Sequence, residues 1–416
     1  MPGHKGKPFL GCEPLDITEI EGADVLCSAN GIIAESENNA SALFGSEHTF
    51  YSTEGSTLCI KAMLAIATAG KEHPTVLAAR NAHKAFIHAC ALLDLQVKWL
   101  SPEDSTHLCS CNITPEQIEG ALDGSITAVY VTSPDYLGNI SDIRGIADVC
   151  HAHGVPLLVD NAHGAYLRFL SPSLHPLDLG ADVCCDSAHK TLPVLTGGAY
   201  LHVKSAEYAD RARNALSLFA STSPSYLILQ SLDLCNRYLS DGYGQRLAEC
   251  IGKADSLRAH LYQKGFDVLR TEPLKIVINA NASGYTGKAL ANILRSKKIE
   301  AELSDSQYLV LMLTTETRDT DLERLQSAID NIPQLTPIES TPPALPTPVT
   351  ATSIRKAMFS EHATVSIETA VGKICATPTV SCPPAVPIAI TGERITDGHV
   401  AALKYYGVTA LEVVKE

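Results

Sequence analysis

The sequence predicts an α/β protein: a mainly parallel sheet covered by helices on both faces, then a smaller α/β unit and an appended C-terminal segment. Three observations carry this. Runs that are apolar throughout, such as Ile126 to Thr132 and Val155 to Asp160, alternate with amphipathic stretches of helical length. A strand apolar on both faces belongs to a sheet buried on both sides. Polar residues also cluster directly after several of these runs, and in such sheets ligands sit beyond the carboxyl ends of the strands.

The elements follow in order. Met1 to about Asp24 is rich in Gly and Pro and reads as an extended arm, made locally basic by His4, Lys5 and Lys7. Ala29 to Phe44 places small and apolar residues at helical spacing, and Gly45 stops it. The stretch FYSTEGST, Phe50 to Thr57, leads into the apolar helix Leu58 to Ala69. Thr75 to Ala79 is a strand, Lys84 to Leu93 a helix, and Val97 to Leu100 a short strand. Thr114 as cap and Pro115 at the first position open a helix to Leu122. Strand Ile126 to Thr132 precedes a helix, Ile140 to His153, closed by Gly154. Strands Val155 to Asp160, Ala181 to Cys185 and Ala199 to Val203 come next. Ala206 to Leu216 and Leu227 to Leu239 are helices, the second preceded by the hydroxyl-rich Phe219 to Tyr226.

A long amphipathic helix, Arg246 to Lys264, links to the smaller unit. Its strands are about Phe266 to Leu269, Lys275 to Asn279, Ile299 to Leu303 and Tyr308 to Leu313. Its helices are Gly287 to Ser296 and Thr320 to Ile332. From Gln334, prolines at 337, 342, 343, 346 and 348 keep a linker extended. Ser353 to Glu416 carries two short helical patterns and is expected to pack on the rest. The domain boundaries expected are 1–45 for arm and first helix, 46–245 for the large domain, 246–334 for the small one, and 335–416 for linker and C-terminal segment.

Composition narrows the function. With 416 residues, 45% hydrophobic and 19% charged, the chain is long enough for two or three domains and a large core. No run of about 20 apolar residues is present, so no membrane span is expected. The start, MPGHKGKPF, has no apolar core and is not a signal peptide. A net charge of −14 argues against binding nucleic-acid backbones. The 13 cysteines form no CxxC pair, which signals neither a zinc nor a redox motif. Free thiols in a reducing cytoplasm, and no metal site, are expected.

The chemistry centres on DSAHKT, Asp186 to Thr191, just after a buried run. Lys190 stands among Ser187, His189 and Thr191, with Gly197 and Gly198 soon after. A lysine held in a cleft can have a lowered pKa and attack an aldehyde, while hydroxyls and a histidine hold an anion beside it. An aldehyde bearing a phosphate is pyridoxal phosphate (PLP). The competing reading is an ordinary lysine on a surface loop. At Thr53 to Ser56, small and hydroxylic residues open a helix whose first N–H groups form an anion site, unless they serve as a plain N-cap. Asp160 closes the apolar run VPLLV, where a carboxylate needs a cation or else caps the next turn. Against a pyridine nitrogen it would hold the proton that makes the ring an electron sink. His83 either stacks on a planar ring or begins the following helix as a core histidine. Ser133, Pro134 and Asp135 mark a further polar strand end.

Eight segments, in order along the chain, resemble one family. They are PGHKG (Pro2 to Gly6), STEGS (Ser52 to Ser56), RNAHKA (Arg80 to Ala85) and TSPDYLGNISDI (Thr132 to Ile143). The others are VDNAHGAY (Val159 to Tyr166), SAHKTLP (Ser187 to Pro193), STSPSY (Ser221 to Tyr226) and CPPAVPIAITGERI (Cys382 to Ile395). Together they resemble the Orn/Lys/Arg decarboxylases, PLP enzymes of the aspartate-aminotransferase fold (fold type I), with a mainly parallel seven-stranded sheet.

The resemblance implies decarboxylation of lysine, arginine or ornithine to a di- or polyamine. It implies that Lys190 holds PLP as the internal aldimine, that Asp160 pairs with the pyridine nitrogen and that His83 stacks on the ring. Thr53, Glu54, Gly55, Ser56, Ser187 and His189 would surround the phosphate, and Ser133 would line the cofactor site. His163 would lie near the cofactor's phenolic oxygen or the substrate. Ser221 and Thr222 would approach the phosphate of the neighbouring subunit, so a homodimer with shared sites is implied, and PGHKG would line the entrance.

Some positions depart from the pattern. The family often has an acid where Asn161 stands, a second histidine where Tyr166 stands and a small or hydroxylic residue where Asp135 stands. The chain begins at PGHKG, without the N-terminal wing of the large enterobacterial enzymes or the short helix that often precedes this motif. It therefore resembles the compact bacterial branch, with a late start codon and no winged decamer. These departures leave the substrate open, with Glu393 and Asp135 as candidate acids for its distal cation. Two other readings stay open: an aminotransferase, racemase or lyase on the same fold, and a catalytically silent scaffold of PLP-enzyme fold.

Overall fold

Seven strands form the principal sheet, in the order β1-β7-β6-β5-β4-β2-β3. They are β1 (His48–Ser52), β2 (Thr75–Ala79), β3 (Gln96–Leu100), β4 (Ile126–Thr132), β5 (Leu157–Asp160), β6 (Val183–Asp186) and β7 (Ala199–Val203). The computed structural model describes residues 1–102, 107–110, 112–344, 346–378 and 386–415. Cys382 to Ala385 of the last quoted segment, and Cys111, lie outside the described residues.

Pairs β2/β4, β4/β5 and β5/β6 are parallel, while β7 runs antiparallel to both β6 and β1. Strands β5, β6 and β7 are buried along their whole length, as their two-faced apolar sequences require. Helices α1 (Ile32–Phe44), α2 (Gly55–Thr68), α3 (Lys84–Leu93), α4 (Pro115–Ala121), α5 (Ile143–Ala152), α6 (Ala188–Thr191), α7 (Ala206–Ser217), α8 (Tyr226–Ser240) and α9 (Tyr243–Gln263) alternate with them or follow.

The chain divides into two compact units. The first comprises residues 1–78, 114–133 and 142–245; the second comprises 79–113, 134–141 and 246–416. In the first, the N-terminal arm is more folded than its composition suggests. The Glu13 carboxylate collects the N–H groups of Phe9, Leu10 and Gly11. Asp24 collects those of Val25, Asn30, Gly31 and Ile33 just before α1.

In the second unit β8 (Asp267–Leu269), β9 (Lys275–Asn279), β10 (Leu303–Ser304) and β11 (Tyr308–Met312) form an antiparallel sheet ordered β10-β11-β9-β8. Helices α10 (Gly287–Ser296) and α11 (Asp319–Asp330) belong to it. The strand expected over Ile299 to Leu303 shrinks to β10. Lys298 takes a left-handed conformation (φ 61°), and the Ile299 N–H donates to Leu294 O at 3.1 Å, so Ile299 closes the end of α10 instead. The C-terminal segment adds α12 (Ile354–Met358), β12 (His362–Ser366), α13 (Asp397–Tyr405) and β13 (Ala410–Val414). Strands β12 and β13 pair antiparallel, and the segment closes a core that includes Val386, Ile388, Ile395, Leu403 and Leu411.

A buried ion pair pins this segment within its unit. Arg80 donates to the Glu393 carboxylate at 2.8 Å; the two residues are 6% and 2% exposed. His399 Nε2 lies 3.6 Å from the same carboxylate, and the Arg80 guanidinium lies 5.6 Å from the Trp99 ring centroid. Deleting one partner strands a charge in the core, whereas replacing both with apolar groups does not. Arg80→Ala should cost about 3–5 kcal/mol in urea unfolding, and the Arg80→Met/Glu393→Leu pair clearly less. Equal losses in the two variants would show that the pair is not an electrostatic unit.

Candidate active site

The ends of β5 and β6 bring the sequence-predicted residues together in the first unit. Asp160 ends β5, opposite Thr132 on one side and Cys185 on the other. It is 2% exposed. Its Oδ2 accepts the Tyr130 hydroxyl at 3.1 Å, and its Oδ1 accepts the Ala162 N–H at 3.2 Å and faces Cys185 Sγ at 3.7 Å. The helix-cap alternative is thus partly realised, since Asp160 does hold its own turn. Burial pushes its carboxyl above the ordinary range, and the charge of Lys190 pulls the other way.

Lys190 lies in the one-turn helix α6 rather than in a loop. Its Nζ stands 2.9 Å from His163 Nε2. With Lys190 protonated, its ammonium has no acceptor, so Nζ would donate and His163 Nε2 accept. His163 is 3% exposed and follows Asp160 by three residues. One turn after each of two adjacent parallel strands therefore supplies an acid, an imidazole and an amine.

The anion site expected from the sequence falls at the start of α2. No side chain caps this 14-residue helix, which sets aside the plain N-cap reading. Gly55 has φ +69°, and a Cβ built on it meets nothing within 4 Å. Its N–H is committed to Gly197 O at 2.7 Å, so the helix's free donors begin further along. A Cβ on Gly197 would stand 2.8 Å from Thr53 O, which is why that close approach needs glycine. The Ser187 hydroxyl donates to Ser56 Oγ at 2.9 Å, linking α2 to the Lys190 turn.

Other expected residues serve the backbone. The His189 ring Nδ1 donates to Gly198 O at 2.9 Å. Glu54 accepts the Ser221 N–H at 2.6 Å and so anchors the hydroxyl cluster; Ser221 and Thr222 are themselves exposed. Thr53 is half-buried, and the buried Ser133 donates its N–H to Asp160 O at 3.0 Å.

His83 belongs to the second unit. It begins α3, its Nδ1 accepting the Ala85 N–H at 3.1 Å, which is the structural half of its two readings. The two candidate acids for a substrate cation are also there, and both have partners. Glu393 meets Arg80. Burial pushes the Glu393 carboxyl up, yet His399 and Arg80 bring it below the ordinary value. Asp135 accepts both the N–H and the amide of Asn139, at 2.9 and 2.7 Å, and burial raises it. Lys275 Nζ donates to Asp135 O at 2.9 Å.

Sequence reasoning missed Tyr130 and Cys185, and it marked Asn161 and Asp186 without seeing that they cluster with His175 and His202. Tyr130 had a readable signal, because a hydroxyl inside the buried run ITAVYVT must find a partner. The cluster had none, because its members come from separate strands and turns.

The site's donors fit pyridoxal phosphate: a buried carboxylate, an amine one turn away on the adjacent strand, and an uncapped helix start flanked by Ser56 and Ser187. Comparison with known proteins identifies the family. Residues 8–276 match the description "Orn/Lys/Arg decarboxylase, major domain", and residues 338–413 match "Orn/Lys/Arg decarboxylase, C-terminal domain". The uncharacterised protein YaaO of Bacillus subtilis is 32% identical over 432 residues, covering 97% of this chain and 89% of its own. An arginine decarboxylase of Halalkalibacterium halodurans is 30% identical over 440 residues, with coverages of 97% and 89%. The constitutive lysine decarboxylase of E. coli superposes with a TM-score of 0.81 at 18% identity, over 100% of this chain and 79% of that one. At that identity the likeness shows the fold.

Proposed function

Since the chain belongs to the Orn/Lys/Arg decarboxylase family, we propose that it removes the carboxylate of a basic L-amino acid, with L-arginine the first candidate and Lys190 as the residue that binds PLP. The curated relatives named arginine decarboxylase favour arginine. The observation that carries the reading is the 2.9 Å contact of Lys190 Nζ with His163 Nε2, one turn past the buried Asp160.

PLP, when bound, supplies the sink for the electron pair left as the Cα–carboxylate bond breaks. The protein's residues do the rest. Asp160 holds a proton at the pyridine nitrogen, and Tyr130, Cys185 and the Ala162 N–H fix the carboxylate's orientation for that task. Ser56, Ser187 and the first turn of α2 receive the phosphate. His163 accepts a proton from Lys190 Nζ and so frees the amine as a nucleophile. Lys190 or His163 returns a proton to Cα.

The active assembly in this proposal is a homodimer, in which Ser221 and Thr222 reach the neighbouring site. Phe9, Leu10, Leu15 and Ile32 of the first unit are 79%, 88%, 59% and 58% exposed, apolar side chains that a second copy would cover. A cytoplasmic setting fits as well. None of the described cysteines is in a disulfide, and no described helix is long and apolar enough to cross a membrane.

The deciding experiment offers L-arginine, L-lysine and L-ornithine to the PLP-loaded protein and measures CO₂ and the amine product. Stoichiometric CO₂ and agmatine from arginine, at a kcat/KM at least about tenfold above the other two, is the expected result. A keto acid without CO₂ would replace the decarboxylase reading with an aminotransferase one.

A further inference from the structure

Beneath the Lys190 turn lies a fully buried polar cluster that the proposed chemistry does not use. Asp186 ends β6 and is the fourth residue before Lys190; Asn161 follows Asp160 at the end of β5. The Asn161 amide donates to Asp186 Oδ1 at 2.7 Å. Asp186 Oδ2 accepts from His175 Nε2 at 3.0 Å and from His202 Nε2 at 3.2 Å. All four residues are 0% exposed. His202 Nδ1 bonds to Thr49 Oγ1 at 2.8 Å, and the Phe44 ring packs against both imidazoles.

The carboxylate is thus ionised and saturated. Burial alone would raise it, but the two histidines hold it well below the ordinary range. Gly164 leaves the room that Asn161 occupies, because a Cβ there would stand 1.9 Å from Asn161 Oδ1. His175, Asp186 and His202 have the donor types of a metal site. The hydrogen bonds argue otherwise. The Leu177 N–H donates to His175 Nδ1 at 3.4 Å, so the ring proton sits on Nε2, facing Asp186, where a metal would need a bare nitrogen.

We propose that Asn161 and Asp186 are a positioning pair, a buried brace between the turn carrying Asp160 and His163 and the turn carrying Lys190, which sets the approach of Lys190 Nζ to His163 Nε2. The proposal rests on the reading that Lys190 binds PLP. The brace has a definite polarity: an amide on β5 donates to a carboxylate on β6. Asn161→Asp would set two carboxylates 2.7 Å apart in a site without water access. Adding Asp186→Asn reverses the polarity and restores the contact. The amide at 186 turns its oxygen to the two histidines and its N–H to the carboxylate at 161.

The test measures PLP capture by wild type, Asn161→Asp and the double variant, from the visible absorption of the lysine-linked cofactor after dialysis. Borohydride reduction and peptide mapping confirm the attachment residue, and the pH midpoint of the absorption band is recorded for the folded fraction of each. We expect Asn161→Asp to lose capture by about tenfold or more and to shift the midpoint, and the double variant to recover both to within about threefold. If Asn161→Asp does not fold, Asn161→Ala, which removes the amide without adding a charge, takes its place, and the same loss of capture and shifted midpoint in its folded fraction are required. Wild-type-like capture by Asn161→Asp, or no recovery in the double variant, overturns it. A lowered folded yield with an unshifted midpoint also overturns it, because the pair is then structural only. Stoichiometric Zn²⁺ binding to the wild type that Asp186→Asn abolishes would make the cluster a metal site instead. A wild type that captures no PLP would refute the cofactor reading itself, whereas capture without rescue refutes the brace alone.

Discussion

Lys190→Ala should purify colourless with PLP present, and should turn over basic amino acids at least about 10³-fold more slowly than wild type. The expectation combines two losses. The covalent anchor disappears, and so does the amine placed to move a proton beside His163. General acid–base groups contribute about 10²–10⁴-fold, and losing the covalent attachment adds to that. In the proposed site the start of α2 and the Ser56 and Ser187 hydroxyls would still offer PLP a weak hold, so weak PLP binding is compatible with the expected result. Borohydride reduction of the wild type should place the label on the peptide containing Lys190. A Lys190→Ala protein that stays yellow and active, or a label on another lysine, would assign the chemistry elsewhere. Lys275 is the control. It is fully buried, burial pushes its pKa down, and it belongs to the other unit. A depressed lysine pKa alone therefore does not identify the reactive amine; the adjoining imidazole and carboxylate do.

The elements legible in the sequence were those set by local pattern. β2, β4, β7 and β9, with α3 and α10, appear at the expected bounds because apolar runs and caps define them within a few residues. β1 was not legible. Its five residues, HTFYS, have no strong alternation, and they become a strand by pairing antiparallel with β7 from about 150 residues away in sequence, as in Phe50 against Leu201. The site divides the same way. Lys190, His163 and Asp160 were readable because each ends or follows an apolar run. The partners that orient them were not: Tyr130 and Cys185 reach Asp160 across strands, and Asp186 meets His175 and His202 only after folding. Glu393 shows the opposite error. From sequence it was one candidate acid for a substrate cation, and in the fold its carboxylate meets Arg80.

The acid of Asp160 should trade stability for function, so replacing it should move the two in opposite directions. Its folded-state pKa is raised by burial. Between the unfolded and folded pKa values the folded state therefore binds more protons than the unfolded one, and stability falls as pH rises through that window. Above it, at neutral pH, the full cost of holding a buried carboxylate remains. Asp160→Asn removes the charge while keeping an oxygen that can accept the Tyr130 hydroxyl and another atom facing the ring position. The apoprotein should then melt at a higher temperature at neutral pH, with the gain shrinking toward acid, where the wild-type carboxyl is neutral as well. Activity should fall by about 10²-fold or more, since a neutral amide cannot hold the pyridinium proton. Retention of PLP on dialysis should weaken for the same reason. Thermal melts of the two apoproteins from pH 4 to 8, set beside their turnover, make the comparison. An Asp160→Asn protein less stable than wild type at neutral pH would mean that Lys190 compensates the carboxylate fully even without cofactor. Undiminished turnover would mean that Asp160 is not the residue that keeps the pyridine nitrogen protonated.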